Sequence, residues 1–143
     1  MSRLNILFEH ESYSLKDDFT ISRGSKKTAD VITVRLSDNI HSGMGECTPN
    51  FRYGQTIRTE LDKLVGMKQA LESCEDGLER WIINKLFEPG PARSDVDIAL
   101  WYLELKQNKK TIWTYHNVKK PDALPTMITL DASSIEKNLS TAS

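Results

Sequence analysis

The spacing of apolar residues changes between Cys47 and Gln55, and this change constrains the fold more than any other feature. Before it, apolar side chains recur at every second position, as in Ile32, Val34 and Leu36, which is typical of a strand with one buried face. After it, they recur at intervals of three and four residues, which indicates amphipathic helices. The sequence therefore predicts an α+β fold in which a three-stranded antiparallel sheet is followed by a bundle of helices.

Three strands are predicted ahead of the change in spacing. Residues 31–36 alternate most clearly, and the short turn Ser37–Asn39 leads directly into a second strand, His41–Cys47. Strands joined by so short a turn pair as an antiparallel hairpin, and Leu4–Phe8 adds a third strand.

Two segments of the strand region are predicted to be loops. Thr20–Lys27 (TISRGSKK) is polar, contains a glycine and shows little periodicity, and the alternation has already broken at Asp17 and Asp18. The second loop, Cys47–Gly54, begins where Pro49 stops a strand and ends in the sequence Arg-Tyr-Gly. Its side chains are of the kind that bind an anion or a peptide.

Helical spacing then predicts two helices before the first strong stop. The first covers Gln55–Leu71, and Gly66 interrupts it. The second runs from Glu75 to Leu86 and cannot continue through the Pro-Gly-Pro sequence that starts at Pro89. One side of this second helix is predicted to consist of Leu78, Trp81, Ile82 and the stem of Lys85.

The next helix, Ala92–Lys106, is apolar over most of its circumference. One apolar stripe packs on the strands or the earlier helices, and the other needs a further partner. Asp95 and Asp97 point to different sides of the helix and are interpreted as charge compensation at its start. The two stripes are Val96, Ala99, Leu100 and Leu103, and Ile98, Trp101, Tyr102 and Leu105.

The rest of the chain resembles the beginning of a strand-helix unit. A short helical turn, Ile112–Tyr115, precedes the linker Lys119–Pro125. Met127–Leu130 is predicted to be a short buried strand, and Ser133 with Glu136 forms a capping-box pattern at the start of a helix.

Composition excludes several classes of function. With 143 residues the chain is too short for a complete eight-stranded α/β barrel, which takes about 250. The net charge of −1 lacks the positive excess that is typical of nucleic-acid-binding proteins. No apolar run is long enough to span a membrane. Without a secretory leader, we expect a cytoplasmic protein in which Cys47 and Cys74 are reduced thiols, and two cysteines alone form no zinc site.

Three segments carry a resemblance to a known family. They are FTISRGSKKTADVITV (Phe19–Val34), GMGECTPNFRYGQT (Gly43–Thr56) and ARSDVDIALWYLELK (Ala92–Lys106). In this order they resemble the N-terminal capping domain of the enolase superfamily. Within it they are most similar to the dipeptide epimerases, the L-Ala-D/L-Glu epimerase group of the muconate-lactonizing subgroup. LPTMITLD (Leu124–Asp131) is similar to the first strand of the barrel that follows the cap.

The resemblance implies a capping domain over residues 1–120 and the start of a truncated (β/α) barrel over residues 121–143. In the family, two cap loops, here Thr20–Lys26 and Cys47–Gly54, close over the barrel and help to select the substrate. The resemblance implies that the chemistry is proton abstraction next to a carboxylate, with re-protonation on the other face. It uses a Lys-x-Lys motif on an early barrel strand and a further lysine, while three acidic barrel residues bind Mg²⁺. No Lys-x-Lys occurs in this chain, so no catalytic residue and no metal ligand is assigned to it.

Five residues are candidates for substrate binding through this resemblance. Arg23 and Arg52 would bind a substrate carboxylate, and the alternative is a solvated loop arginine at either position. Tyr53 would contact the substrate or pack over the end of the sheet. Ile21 would form a pocket wall and Thr129 would line the mouth of the site, although both are ordinary residues in a loop and a strand.

Three functions remain open on the sequence. The first is a cap that is catalytically inactive by itself. The second is one half of a split Mg²⁺-dependent epimerase that a barrel-bearing chain completes, and the third is a small peptide-binding module. The expected partners are a dipeptide, a barrel-bearing chain or a second copy of this chain.

Overall fold

The structure is a computed structural model that describes residues 4–21, 24–74 and 78–126, with Ile21 described by its backbone only. Its three strands are β1 (Asn5–Ile21), β2 (Gly24–Ser37) and β3 (Ser42–Cys47). Its helices are α1 (Ile57–Glu72), α2 (Arg80–Leu86), α3 (Pro91–Gln107) and α4 (Ile112–Tyr115), with a 3-10 turn at Phe51–Tyr53.

The strands form one antiparallel sheet in the order β1-β2-β3, and the α+β fold class predicted from the sequence is confirmed. Ile32 pairs with Cys47, and Leu36 pairs with Gly43, so the short turn between β2 and β3 closes the predicted hairpin. Because side chains alternate between the two faces, Ile32, Val34 and Leu36 lie on the same face as the small residues of β3.

The prediction of a loop at Thr20–Lys27 is wrong. Strand β1 continues through Asp17 and Asp18 to Ile21, and β2 begins at Gly24. The second half of β1 and the first half of β2, Ser12–Ala29, are called the ribbon below. Its described side chains at 24–28 are exposed, so this part of the ribbon buries no apolar face and shows no apolar alternation. Polar cross-strand contacts support it instead, including Lys27 Nζ at 3.6 Å from Asp18 Oδ2.

The described residues fall into two compact units. One contains residues 4–11 and Asp30–Lys119, and the other contains Ser12–Ala29 and residues 120–126. The first unit contains the hydrophobic core, which Ile6, Ile32, Val34 and Leu36 of the sheet share with the helices. The second consists of the ribbon described above and a segment without regular secondary structure. The predicted domain boundary after residue 120 stays a prediction.

Helix α3 packs directly on β3. Two glycines permit this close approach, since a Cβ at Gly43 would overlap the carbonyl oxygen of Ala99 and one at Gly45 would overlap that of Asp95. The bounds of α3 match the predicted helix to within one residue at each end. Its buried residues are Ala92, Asp95, Val96, Ala99, Leu100 and Leu103.

The second stripe of α3 is only partly covered by the described residues. Tyr102 is 55% exposed and Ile98 is 36% exposed. Trp101 lies against Arg80, Tyr115 and His116, with the Arg80 guanidinium 3.6 Å from its ring centroid. The predicted short helical turn at Ile112–Tyr115 is confirmed as α4.

Two predictions about the earlier helices are wrong. Helix α1 runs through Gly66, which is exposed and where an added Cβ would meet no other atom. The glycine therefore lowers helix propensity without ending the helix. Helix α2 begins at Arg80, and Leu78 and Glu79 lie outside it. Its buried residue is Ile83, whereas Trp81 is 59% exposed.

The predicted strand Met127–Leu130 and the helix start at Ser133 lie outside the described residues. In the part of the chain that the structure describes, no helix is both long and apolar enough to cross a membrane.

Candidate functional site

The connection from β3 to α1 is a rigid turn, Asn50–Gly54. The Asn50 side chain accepts a hydrogen bond from the Arg52 amide (3.0 Å), and the Asn50 amide donates to Gln55 Oε1 (3.1 Å). The Gly54 amide donates to the Phe51 carbonyl (2.9 Å), and Gly54 has a φ of 71°, a left-handed conformation that favours glycine. These bonds fix the backbone of the turn without any ligand.

Both ends of the turn are anchored. On one side, Cys47 pairs with Ile32 in the sheet. On the other, Thr56 and Thr59 form a reciprocal capping box at the start of α1, with amide-to-hydroxyl distances of 3.1 and 2.9 Å. The turn is therefore positioned by the sheet and by α1 together.

The turn presents three consecutive side chains to solvent. Phe51 is 85% exposed and Tyr53 is 71% exposed, and Arg52 lies between them and is exposed as well. Among the described residues, none forms a hydrogen bond or an ion pair with the Arg52 side chain. A guanidinium with its donors free can bind a carboxylate through two parallel hydrogen bonds, and the two rings add apolar contact area.

A buried carboxylate lies behind the start of this connection. Asp95 on α3 is fully buried, and neither of its carboxylate oxygens has a hydrogen-bond partner of standard geometry among the described residues. Burial raises the pKa of Asp95 to about 7, although the Cys47 thiol and the Val34 backbone oppose the shift. Burial, followed by the charge of Asp95, also raises the pKa of the Cys47 thiol.

Glu60 is a second buried carboxylate, and it is satisfied. Its oxygens lie 2.6 Å from Lys63 Nζ and 3.3 Å from the Ala92 amide in the first turn of α3. The helix N-terminus and the lysine compensate its charge, so Glu60 joins α1 to α3.

The other end of α3 is joined to the turn between β2 and β3. Lys106 Nζ donates to the Ser42 carbonyl (2.6 Å), and Gln107 donates to Asp38 (2.8 Å). Asp38 also accepts hydrogen bonds from the His41 and Ile40 amides, which hold the pKa of its carboxyl below the ordinary range.

Sequence reasoning did not identify the environment of Asp95. Charge compensation at the helix start is the wrong interpretation, since the first turn of α3 contains no acidic residue and Asp95 is buried. The available signal was position, because Asp95 follows Ala92 by three residues and precedes Ala99 by four, which places it on the buried stripe. Asp97 does point to another side, where it lies 3.5 Å from Arg80.

Of the five predicted binding residues, the structure brings together Arg52 and Tyr53 in the turn Phe51–Tyr53. Ile21 ends β1, and nothing is described of its side chain. Arg23 and Thr129 lie outside the described residues. In the described ranges, no group of three or more histidine, cysteine or acidic side chains could hold a metal ion.

Comparison with known proteins identifies relatives that are more than twice as long as this chain. The chain is 31% identical over 120 residues to L-Ala-D/L-Glu epimerase of Escherichia coli K12, and the match covers 84% of this chain and 36% of that protein. No family model matches the sequence.

Solved structures give the same result. An enolase family member from Agrobacterium tumefaciens, with homology to dipeptide epimerases and with bound sodium and L-Ala-L-Glu, is 36% identical, with a TM-score of 0.68 over 75% of this chain and 32% of that one. A dipeptide epimerase from Methylococcus capsulatus, complexed with Mg and L-Arg-D-Lys, is 19% identical and shares the fold over 99% of this chain, with a TM-score of 0.82. The match covers 42% of that chain.

Proposed function

We propose that this chain, a member of the enolase superfamily related to the dipeptide epimerases and similar to their N-terminal capping domain, selects the dipeptide for a barrel that carries the chemistry. The observation that carries the proposal is the rigid turn that displays Phe51, Arg52 and Tyr53. A binding segment whose backbone is fixed in advance loses little conformational entropy when a ligand arrives.

In this proposal the Arg52 guanidinium binds a carboxylate of the dipeptide, and Tyr53 contacts its side chain. Arg23, Ile21 and Thr129 complete the substrate contacts by family resemblance alone. A dipeptide with an acidic second residue carries two carboxylates, which suits a cap that supplies arginines.

We assign the proton transfer to the barrel and no catalytic group to the described part of this chain. Magnesium in the complete family enzyme would stabilise the negative charge that develops on the substrate carboxylate. The described donor set does not fit such an ion, because Glu60 is satisfied by Lys63 and the Ala92 amide and Asp95 faces a thiol.

A second candidate is a split enzyme in which another chain supplies the barrel. The exposed side chains of Ile98 and Tyr102 on α3 favour it, because they form the stripe that needs a partner. Epimerisation of L-Ala-L-Glu with Mg²⁺ that appears only after this chain is mixed with a separate barrel chain would distinguish the split enzyme from an inactive cap.

The proposal is tested by grafting the turn onto an active relative. Residues 48–54 of this chain replace the corresponding segment of the E. coli epimerase, and KM and kcat are measured for L-Ala-L-Glu and for L-Ala-L-Leu. Arg52→Ala in the graft should raise KM for L-Ala-L-Glu by about 10- to 100-fold, the usual effect of losing a charged hydrogen-bonded pair of 1.5–3 kcal/mol.

Two comparisons make the graft experiment specific. Arg52→Lys keeps the charge but loses the bidentate geometry, so its KM should lie between those of the graft and of Arg52→Ala. The apolar second residue of L-Ala-L-Leu removes one carboxylate, so the preference for the acidic dipeptide should shrink in Arg52→Ala. Equal KM values for the graft, Arg52→Lys and Arg52→Ala would contradict a binding role for Arg52.

A further inference from the structure

The contact between α3 and β3 contains a carboxylate that no positively charged group compensates among the described residues. Asp95 is fully buried, no described residue forms an ion pair with it, and both of its oxygens lack hydrogen-bond partners of standard geometry. Gly45 closes the space on the strand side, since a Cβ there would lie 2.7 Å from Asp95 Oδ1. A carboxylate in such a place is stable only when it is protonated or when the contact opens to admit water.

The ionisable groups around Asp95 do not supply a positive charge. On β3 the charge of Glu46 acts against ionisation of Asp95. The Cys47 thiol and the Val34 backbone favour the ionised form, but neither supplies a positive charge. On α1, Glu60 is already paired with Lys63. The cation that α2 directs toward α3, Arg80, binds Asp97 and Glu104 instead.

We propose that Asp95 is a pH-sensitive latch between α3 and the end of β3, closed when its carboxyl is protonated and opened by ionisation. Opening separates Cys47, the first residue of the connection that holds the turn Asn50–Gly54, from the helix. Opening would thus expose the Cys47 thiol, which precedes the turn that carries Arg52 and Tyr53.

The sign of the pH effect follows from proton linkage. Burial raises the pKa of Asp95 from 3.8 in an exposed carboxyl to about 7 in the closed contact, so the closed form binds a proton that the open form releases. The contribution to stability is fully present below pH 3.8 and is lost as the pH rises through about 7. Asp38 has the opposite shift, so its contribution is lost only in acid and does not overlap this change.

Thiol labelling of Cys47 measures the opening directly. In a Cys74→Ala background, Cys47 is the only remaining thiol of the chain, and its rate of reaction with dithiodipyridine is measured from pH 5 to pH 8. Dividing the rate in urea-unfolded chain by the rate in folded chain gives a protection factor that is corrected for the chemistry of the thiol itself. We expect this factor to fall by about 100-fold between pH 5 and pH 8 and to level off above pH 7.

Two carboxyl-to-amide variants on the same helix separate the latch from a general pH effect. Asp95→Asn should make the protection factor independent of pH. Asp97→Asn, which alters a partly exposed carboxylate paired with Arg80, should retain the fall seen in the parent chain. A protection factor that is constant with pH in the parent chain, or one that falls equally in Asp95→Asn, would overturn the proposal.

A second measurement needs no variant, in case Asp95→Asn fails to fold. The side-chain carboxyl carbon of Asp95 is assigned by through-bond correlation and followed by ¹³C NMR as the pH changes. A midpoint near pH 7 supports the latch, whereas a midpoint near 3.8, the value of an exposed carboxyl, excludes it.

Discussion

At the scale of single residues, glycine decides how close the sheet and α3 can lie. Gly45 and Gly43 contact the backbone of α3, and a methyl group at either position would overlap a carbonyl oxygen of the helix. Gly66 is different, because it lies on an exposed part of α1 with open space around it. The same substitution therefore has opposite consequences at these positions.

We expect Gly45→Ala to lower the free energy of unfolding by about 3 kcal/mol or more, because the added Cβ meets backbone and cannot be accommodated by a rotamer change. Gly66→Ala, the matched control, should raise it by about 0.5–1 kcal/mol, through higher helix propensity. Urea unfolding at pH 5 measures both. Equal effects of the two substitutions would contradict the close contact at Gly45.

At the scale of elements, the sequence predicted the strands and helices that depend on short-range, repeating patterns of apolar residues. The hairpin of β2 and β3 and the bounds of α3 follow from apolar spacing, a short turn and the Pro-Gly-Pro sequence at the boundary between α2 and α3. The ribbon at Ser12–Ala29 was missed because strands without a buried face leave no apolar pattern. The burial of Asp95 could have been predicted from its place on the buried stripe, but its contact with Gly45, a residue 50 positions earlier, leaves no local signal.

The attachment of α2 to α3 depends on Arg80. Its guanidinium donates to both oxygens of Glu104 at 3.2 and 2.7 Å, lies over Trp101 and approaches Asp97. We expect Arg80→Ala to lower the free energy of unfolding by about 1–3 kcal/mol, since a bidentate pair and a ring contact are lost together.

Arg58→Ala is the control for this prediction. Arg58 on α1 is exposed and lies 3.9 Å from Asp62, a geometry for which an ion pair contributes less than about 0.5 kcal/mol. Urea unfolding of both variants at pH 7 gives the comparison. A loss in Arg80→Ala no larger than that in Arg58→Ala would show that α2 is held by apolar contacts alone.

At the scale of the whole molecule, the chain spans about a third of the length of the relatives that it matches. The helix-sheet unit positions the turn Asn50–Gly54, and the described residues cover only part of the stripe that contains Ile98 and Tyr102. Both features suit a cap that acts on a site formed with other residues. They are the features on which the proposed function rests, in which this chain binds the dipeptide and the barrel carries the proton transfer.

Exchange of the substrate α-proton with solvent tests most directly whether this chain by itself lacks the proton-transfer step. The 143-residue chain is incubated with L-Ala-L-Glu and Mg²⁺ in deuterium oxide, and the α-proton signal of the second residue is followed by ¹H NMR, with the E. coli epimerase as the positive control. The account predicts that the signal persists with this chain alone and disappears with the control. Loss of the α-proton signal in the presence of this chain alone would contradict it.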